Sequence, residues 1–535
     1  MSESAASFCD DLQSGHKGPE KVPRWTPARV GMLAVALIFA MVIGGAAVTS
    51  LARFARSATV PGPNTYGEAG RVFFALRLQR GRSLFMLDDR PPYYPSVHGP
   101  LLHASVGVIG RVLALDPVQL YAVGRIISVT STLVALIFCV GMLRHLGVGW
   151  GWVPVIFAAL FCHYGVMQHT ISYRPDNWVF ALSAAACYLL LAHPATCWSL
   201  GALAVLPVLA YMIKAPGLWI AGAVVLSLWA QQRWRAGLVC ALATSGLLAV
   251  SILGVQWASD GAFLDSFAGA MNRPYSAIYL RPLLNDPRLW LPLLLPLFVV
   301  LAVPVSDEAV RRKWRVVTIF WALALAAALA TMPRAGSNTY YLIDAYAFGL
   351  VLTVAWLADA VRRRTATTRS GFPAVAGLVM LFVLLNLSPW LSALSNLAQA
   401  LDGTNPLAGR DVAVVRTMRY GRHRQEIADR INAGSQRCFS DDPGLNILLD
   451  EPAVINMLVP TLLIQQGVLS REEILRPIRR QEYDLILLTE LRWRYRGTEL
   501  PPPWMIEVVK RHYRGVRREK GYLVFEPSRT IPPTP

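Results

Sequence analysis

Charged side chains are scarce. Asp, Glu, Lys and Arg make up 16% of the 535 residues, against 54% hydrophobic, where a soluble domain of this length carries roughly 25% charged. With a mean hydropathy of +0.41 and apolar runs of about 17–22 residues recurring along most of the chain, the shortage excludes an ordinary soluble protein and points to a polytopic α-helical membrane protein. Acids are the rarer sign, 33 against 51 basic residues, a net charge of +18. Lipid head groups and cytoplasmic loops collect Lys and Arg, and no nucleic-acid recognition motif accompanies the charge. Cysteine is sparse too. Cys139, Cys162, Cys187, Cys197 and Cys240 lie in or beside apolar segments with no metal-ligand spacing, as packing residues do. Cys9 and Cys438 are too far apart in the chain to suggest a disulfide framework. His98, His103, His163 and His169 have no HxxxH or HExxH spacing, and no glycine-rich phosphate loop is present. Residues 1–29 are polar and mixed in charge, and the helix after them has no clear A-x-A-like cleavage site, so they read as a cytoplasmic tail ahead of an uncleaved anchor.

About eleven spans are expected, near 31–51, 119–142, 150–168, 177–193, 197–213, 216–230, 236–257, 289–304, 316–332, 340–360 and 373–391. The pair separated by "KAPG" reads either as a hairpin or as one broken helix. Residues 30–392 thus form a membrane domain, with a large first outer loop at 53–118. With the N-terminus inside, Lys17, Lys21, Arg24, Arg29, Arg144 and the clusters at 231–235, 311–315 and 362–369 all fall on the cytoplasmic side. The first loop resists that rule, carrying Arg53, Arg56, Arg71, Arg77, Arg80, Arg82 and Arg90 outside. Such clustering suits either a phosphate or head-group site or an amphipathic interfacial helix. Residues 97–115 read as interfacial. From 393 to 535 the chain is charged, with strand-like "YDLILLT" and "GYLVFEP" between helical stretches, an extracytoplasmic α/β domain by the parity of the spans.

Ionisable residues at membrane depth call for a function or a partner. Glu68 in the first loop, Arg174 and Asp176 in "YRPD", Lys214 at a helix end, Arg273 in the loop 258–288 and Asp344 beyond "AGSNTYY" all fall on the outer side. Each also has a plain reading: a solvated loop acid for Glu68, a local ion pair capping a helix for Arg174 and Asp176, and a snorkelling side chain for Lys214.

"YGEAGRVFFALRLQRGRSLF", "YYPSVHGPLLHASVGVIGRVLAL" and "YAVGRIISVTSTLVALIFCVGMLRHLG" together resemble the opening of GT-C-fold glycosyltransferases, enzymes that use polyprenyl-phosphate sugars, and most of all a bacterial branch with a "YGEG" motif. The group includes protein O-mannosyltransferases and the transferase that adds aminoarabinose to lipid A. Gly67 stands where the broader "DE" pair has its Asp, and Glu68 keeps the second acid. "YRPDNWVF" resembles the family's "ARPD" helix start, "YMIKAPGLWI" its outer turn with Lys214, and "GAFLDSFAGAMNRPYS" its Asn-Pro loop with Arg273. In "GSNTYYLIDAY", Tyr340 and Asp344 replace an Asn and a Glu. The likeness runs over nearly the whole chain.

The resemblance implies a membrane glycosyltransferase that moves a hexosyl or pentosyl unit from a polyprenyl-phosphate donor to a glycan, lipid or protein acceptor on the outer face of the inner membrane. Glu68 is the expected catalytic base. Arg71, His98, Arg174, Asp176, Lys214, Arg273, Tyr340 and Asp344 are the expected substrate-binding residues. Metal dependence varies within the superfamily, and no decisive ligand cluster is present, so the cofactor stays open. A transporter or a non-catalytic protein of lipid-linked glycan assembly is the competing reading. A transporter would instead carry its charges near the midplane on broken helices of pseudo-symmetric halves.

Overall fold

The computed structural model describes most of residues 67–367 and 412–528, with scattered positions from 48 to 63. Stretches such as 86–95, 161–169, 298–307 and 335–338 lie outside the described residues. So do the tail 1–29, the expected span 373–391, Cys9, Cys162 and Arg273, and most of the expected spans 31–51 and 150–168.

Ten helices occupy the first part of the described chain: α1 Glu68–Gln79, α2 Pro100–Val112, α3 Pro117–His145, α4 Pro175–Ala192, α5 Cys197–Ile213, α6 Trp219–Ala230, α7 Trp234–Ala258, α8 Ala262–Met271, α9 Glu308–Thr331 and α10 Ile343–Thr367. Five of them, α3, α4, α7, α9 and α10, are long and apolar enough to cross a membrane. Their positions follow the apolar runs to within a few residues, except that α9 begins eight residues before its run, on the basic stretch "EAVRRKWR", and α10 continues seven residues past its run, to Thr367. The chain is a polytopic membrane protein.

Burial sorts the helices. The apolar window of α10 is 72% buried and that of α7 only 11%, so α10 is central and α7 peripheral. Leu242, Val250, Leu253 and Trp257 on α7 are exposed apolar residues, a surface suited to lipid. Helix α3 starts in a capping box, with Asp116 accepting from the Gln119 amide at 2.7 Å while the Gln119 side chain accepts from the Asp116 N–H at 2.9 Å. It packs along α4 in parallel. Near its start Gly124 lies against the Tyr173 ring, and near its end Gly141 lies against the Tyr188 ring. A β-carbon at Gly124 would come within 2.4 Å of that ring, so only glycine lets the two segments meet this closely.

The "KAPG" ambiguity resolves as a hairpin. Lys214 is extended (φ −159°, ψ 122°), a 3-10 turn spans Ala215–Leu218, and α6 packs back on α5. Gly217 abuts the last turn of α5, where an added β-carbon would lie 2.8 Å from the Ala210 carbonyl oxygen. In the first loop α1 and α2 pack together. Val108, Val112 and Leu113 at the end of α2 are exposed, the surface expected of an interfacial helix.

The C-terminal part holds α11 Val412–Ala433, β1 Cys438–Ser440, α12 Pro443–Asn446, α13 Leu458–Gln465, α14 Arg471–Arg479, β2 Leu485–Thr489, the hairpin β3 Trp493–Tyr495 and β4 Thr498–Leu500, then α15 Pro503–His512, β5 Tyr513–Glu519 and β6 Tyr522–Pro527. The main sheet runs β1-β2-β6-β5, with β1 and β2 parallel and the other pairs antiparallel. "YDLILLT" and "GYLVFEP" supply its two central strands. Gly444 of α12 packs against Pro63 of the first loop, so this part sits on the membrane domain. Beside β1, Asp441 is buried and accepts from the Thr489 amide and hydroxyl, both at 2.7 Å. Burial pushes its carboxyl up to about 7, with the Thr489 hydrogen bonds acting against that shift.

Two outcomes follow from this packing. Gly124→Ala is expected to lower stability by about 1–3 kcal/mol through overpacking, while Gly201→Ala, with open space around it, is neutral or slightly stabilising; thermal unfolding in detergent measures both. For Asp441, the folded state keeps a proton that the unfolded chain releases between about pH 4 and 7, so stability falls as pH rises through that window. Asp441→Asn removes this loss. Hydrogen exchange of β2 is expected to be slower in the variant than in wild type above pH 7, and equal near pH 4.

Candidate active site

Six of the expected site residues gather at one end of the helix bundle. Glu68 and Arg71 lie in the first turns of α1. Arg174 and Asp176 flank the start of α4, Lys214 follows the end of α5, and Asp344 is the second residue of α10. The opposite end carries basic residues: Lys313 donates to the His145 carbonyl at 3.2 Å, Arg144 stacks on Trp150, and Arg362 lies beside Gly147.

Glu68 is not a solvated loop acid. It is fully buried and forms a forked ion pair with Arg125 of α3, Nε to Oε1 at 2.9 Å and Nη2 to Oε2 at 3.0 Å. The Tyr173 backbone N–H donates to Oε1 at 2.7 Å. Arg125 also donates to the carbonyls of Val60, at 2.8 Å, and Gly62, and its guanidinium stacks on Tyr121 at 5.2 Å. A charge taken so far out of water is stable only with such a full set of partners. The Tyr173 hydroxyl donates to the Leu102 carbonyl at 2.7 Å, linking α2 to the same centre. Both oxygens of Glu68 are thus hydrogen-bonded within the protein.

Arg125 was not among the expected site residues. Its signal was an arginine inside the apolar run of α3, about 12 Å into the helix at 1.5 Å per residue, where a charge demands a partner.

Arg71 lies one turn along α1 from Gly67; a β-carbon at 67 would sit 3.6 Å from its Nη1. Neither that distance nor the backbone at 67 (φ −82°) requires glycine. His103 is buried beside Arg71. Burial first, and then the Arg71 charge, push its imidazole down to about 3, so it is neutral at ordinary pH. Ser96 lies 3.5 Å from His103 Nε2, and the half-buried His98 ring lies 6.2 Å from the His103 ring.

A second buried pair joins Asp176 and Lys214, so Asp176 pairs across the bundle and not with its neighbour Arg174. Lys214 does not snorkel: it is buried, with Nζ 3.5 Å from the centroid of the Tyr341 ring. Tyr340, the expected residue, and Tyr341 both occupy the 3-10 turn Thr339–Leu342. Asp344 accepts from the Ser183 hydroxyl of α4, and Asp176 and Lys214 both act on it electrostatically. Arg174 is half-buried; its N–H donates to Ser128 Oγ at 3.1 Å and its Nε to Ser172 Oγ at 3.4 Å. The chain from Tyr173 to Asp176 therefore anchors both pairs. The Gly99 N–H donates to the Ile213 carbonyl at 3.1 Å, bringing the first loop to the turn that holds Lys214. Near Arg273, which lies outside the described residues, the loops at 275 and 333 meet: the Ser276 N–H donates to the Pro333 carbonyl at 2.8 Å and Arg334 stacks on Tyr275. Among the described residues no group of three or more His, Cys, Asp or Glu is placed to hold a metal ion.

The Glu68–Arg125 pair gives a direct stability test. Arg125→Met strands a buried carboxylate and is expected to cost about 3–5 kcal/mol. Adding Glu68→Leu is expected to restore much of that loss, as read by thermal unfolding in detergent.

Neither a protein-family model nor a curated protein matches the sequence. Solved structures do. The crystal structure of ArnT from Cupriavidus metallidurans bound to undecaprenyl phosphate matches over 91% of this chain and 98% of that one, at 14% identity and a TM-score of 0.52. The apo form of the same protein matches over 93% and 98%, at 14% identity and a TM-score of 0.48. The likeness to the lipid-bound structure is one of fold, and at that level it meets the resemblance read from the motifs: this chain has the GT-C fold of ArnT.

Proposed function

We propose that the protein is a membrane glycosyltransferase that moves a sugar from a polyprenyl-phosphate donor to an acceptor hydroxyl or amine, at the end of the bundle where the charges gather. The observation that carries this reading is Lys214, a cation buried against Asp176 and Tyr341 at the end of an apolar hairpin. Breaking the sugar–phosphate bond develops negative charge on the phosphate, and a fixed cation in a water-poor site stabilises it without reorganisation. Arg71 and Arg174 at the same end supply further cationic donors, and Arg is well shaped for phosphate. The bound undecaprenyl phosphate in the ArnT structure of the same fold supports a lipid-linked donor.

Polyprenyl phosphate is a good leaving group, so direct displacement at the anomeric carbon, with inversion, needs no nucleotide site. Outside the cytoplasm no nucleotide sugar is supplied, and a flipped lipid-linked sugar is the usable donor. The reading therefore places the reacting end on the outer face of the inner membrane, with the basic end inside and the C-terminal α/β part, residues 393–535, beside the reacting end. His98, Arg273, Tyr340 and Asp344 remain the further substrate-binding residues of this reading. Glu68 takes a positioning role in place of the base: it holds Arg125 and the Tyr173 amide, and through them the start of α4.

The test supplies purified protein with a panel of undecaprenyl-phosphate-linked hexoses and pentoses and measures release of undecaprenyl phosphate. Wild type is expected to release it from at least one donor. Lys214→Gln, which keeps a hydrogen-bond donor for Asp176 but no charge, is expected to lower the rate about 10²–10³-fold. No release by wild type from any donor contradicts the reading.

A further inference from the structure

Three carboxylates stand at the reacting end, and they are not equivalent. Glu68 has one oxygen on Arg125 Nε and the Tyr173 N–H and the other on Arg125 Nη2. Asp344 accepts from Ser183 through Oδ1. Asp176 is held through Oδ1 by Lys214, while its Oδ2 is buried and has no hydrogen-bond partner. Among the described residues it is the one buried carboxylate oxygen in that condition. The residue as a whole is 6% exposed. A buried acceptor left unmade is costly, and a carboxylate at the edge of a substrate site lowers that cost when a substrate donates to it.

We infer that Asp176 is the catalytic base of the transfer, its Oδ2 receiving the proton of the acceptor. The inference rests on the glycosyltransferase reading and names the residue that the expectation placed at Glu68. In the step, the acceptor O–H or N–H bond breaks and its proton passes to Asp176 Oδ2. The acceptor atom forms its bond to the anomeric carbon. The bond from that carbon to the phosphate oxygen breaks, its electron pair stays on that oxygen, and polyprenyl phosphate departs. The proton then leaves Asp176 for water or the departing phosphate. Lys214 orients the base by holding Oδ1, and its charge lies beside the site where phosphate charge develops. The first turn of α4 fixes the carboxylate from the other side: Pro175 and Asp176 open the helix, and Asn177 donates to Thr132 Oγ1 at 3.0 Å, locking that turn onto α3. A carboxylate so held is fixed in place before an acceptor arrives, and for proton transfer position comes before acidity.

The test uses Asp176→Asn, which keeps an amide oxygen for Lys214 and the side-chain shape but cannot take the proton. Undecaprenyl phosphate release is measured with the donor that wild type accepts, first with a protic acceptor that wild type uses, found in a panel of sugar alcohols and amines, and then with azide. Azide is already an anion and needs no base. The expected result is a loss of about 10²–10⁴-fold with the protic acceptor, and release restored by azide with formation of the glycosyl azide that wild type also forms. An unchanged rate in Asp176→Asn overturns the inference while leaving the glycosyltransferase reading intact. A loss that azide does not restore also overturns it, because the residue then serves the shape of the site and not the proton. Wild type that releases nothing from any donor removes both.

Discussion

The buried ion pair between Glu68 and Arg125 is the constraint on which the arrangement of the site depends. Two charges that would each be strongly destabilised alone in this apolar setting are held together with four backbone groups: the Tyr173 amide and the carbonyls of Val60 and Gly62 directly, and the Leu102 carbonyl through Tyr173. Those groups belong to the first loop, to α2 and to the segment before α4. The pair therefore sets where α4 begins relative to α3, and the tight seat of Tyr173 on Gly124 admits no slack. Asp176 lies three residues beyond Tyr173, so its approach to Lys214 is decided by this anchor.

The same centre reaches into the C-terminal part. Tyr121, stacked on Arg125, also feels the charges of Arg424 and Asp442. Arg424 donates to Asp442 at 2.7 Å, and Tyr522 of the main sheet bonds the same carboxylate. Gly444 packs on both Arg424 and Pro63. Two buried ion pairs thus face each other across Tyr121, one in the membrane domain and one in the α/β part. The second part meets the first loop at Pro63, next to Gly62, whose carbonyl accepts from Arg125.

Much of the fold was legible because apolar runs and helix lengths are local properties. The edges of α4 and α5, the strands in "YDLILLT" and "GYLVFEP", and the single-ended placement of Glu68, Asp176, Lys214 and Asp344 could all be read from runs and from the distribution of basic clusters. Partners could not. Arg125 is 57 residues from Glu68, and Lys214 is 38 from Asp176, so nothing local announces either pair. Arg174 looked like the natural partner of Asp176 because it is two residues away. It sits in extended backbone before the helix (φ −136°, ψ 140°), where its side chain leaves in another direction and meets Ser172 instead. Tyr341, against whose ring Lys214 lies, sits in a 3-10 turn whose geometry no local pattern announces. Burial was the other quantity hidden from the sequence: it surrounds Glu68 with a full set of protein partners and leaves one oxygen of Asp176 without a hydrogen bond.

The central claim is that the charged end of the bundle recognises a lipid phosphate. Native mass spectrometry of the detergent-solubilised protein with undecaprenyl phosphate, run beside undecaprenol of the same chain length, tests it most directly. The account predicts that the phosphorylated lipid is retained and the alcohol is not, and that Lys214→Gln weakens the retention. Equal retention of both lipids would show that the apolar surface alone does the binding and would contradict the account.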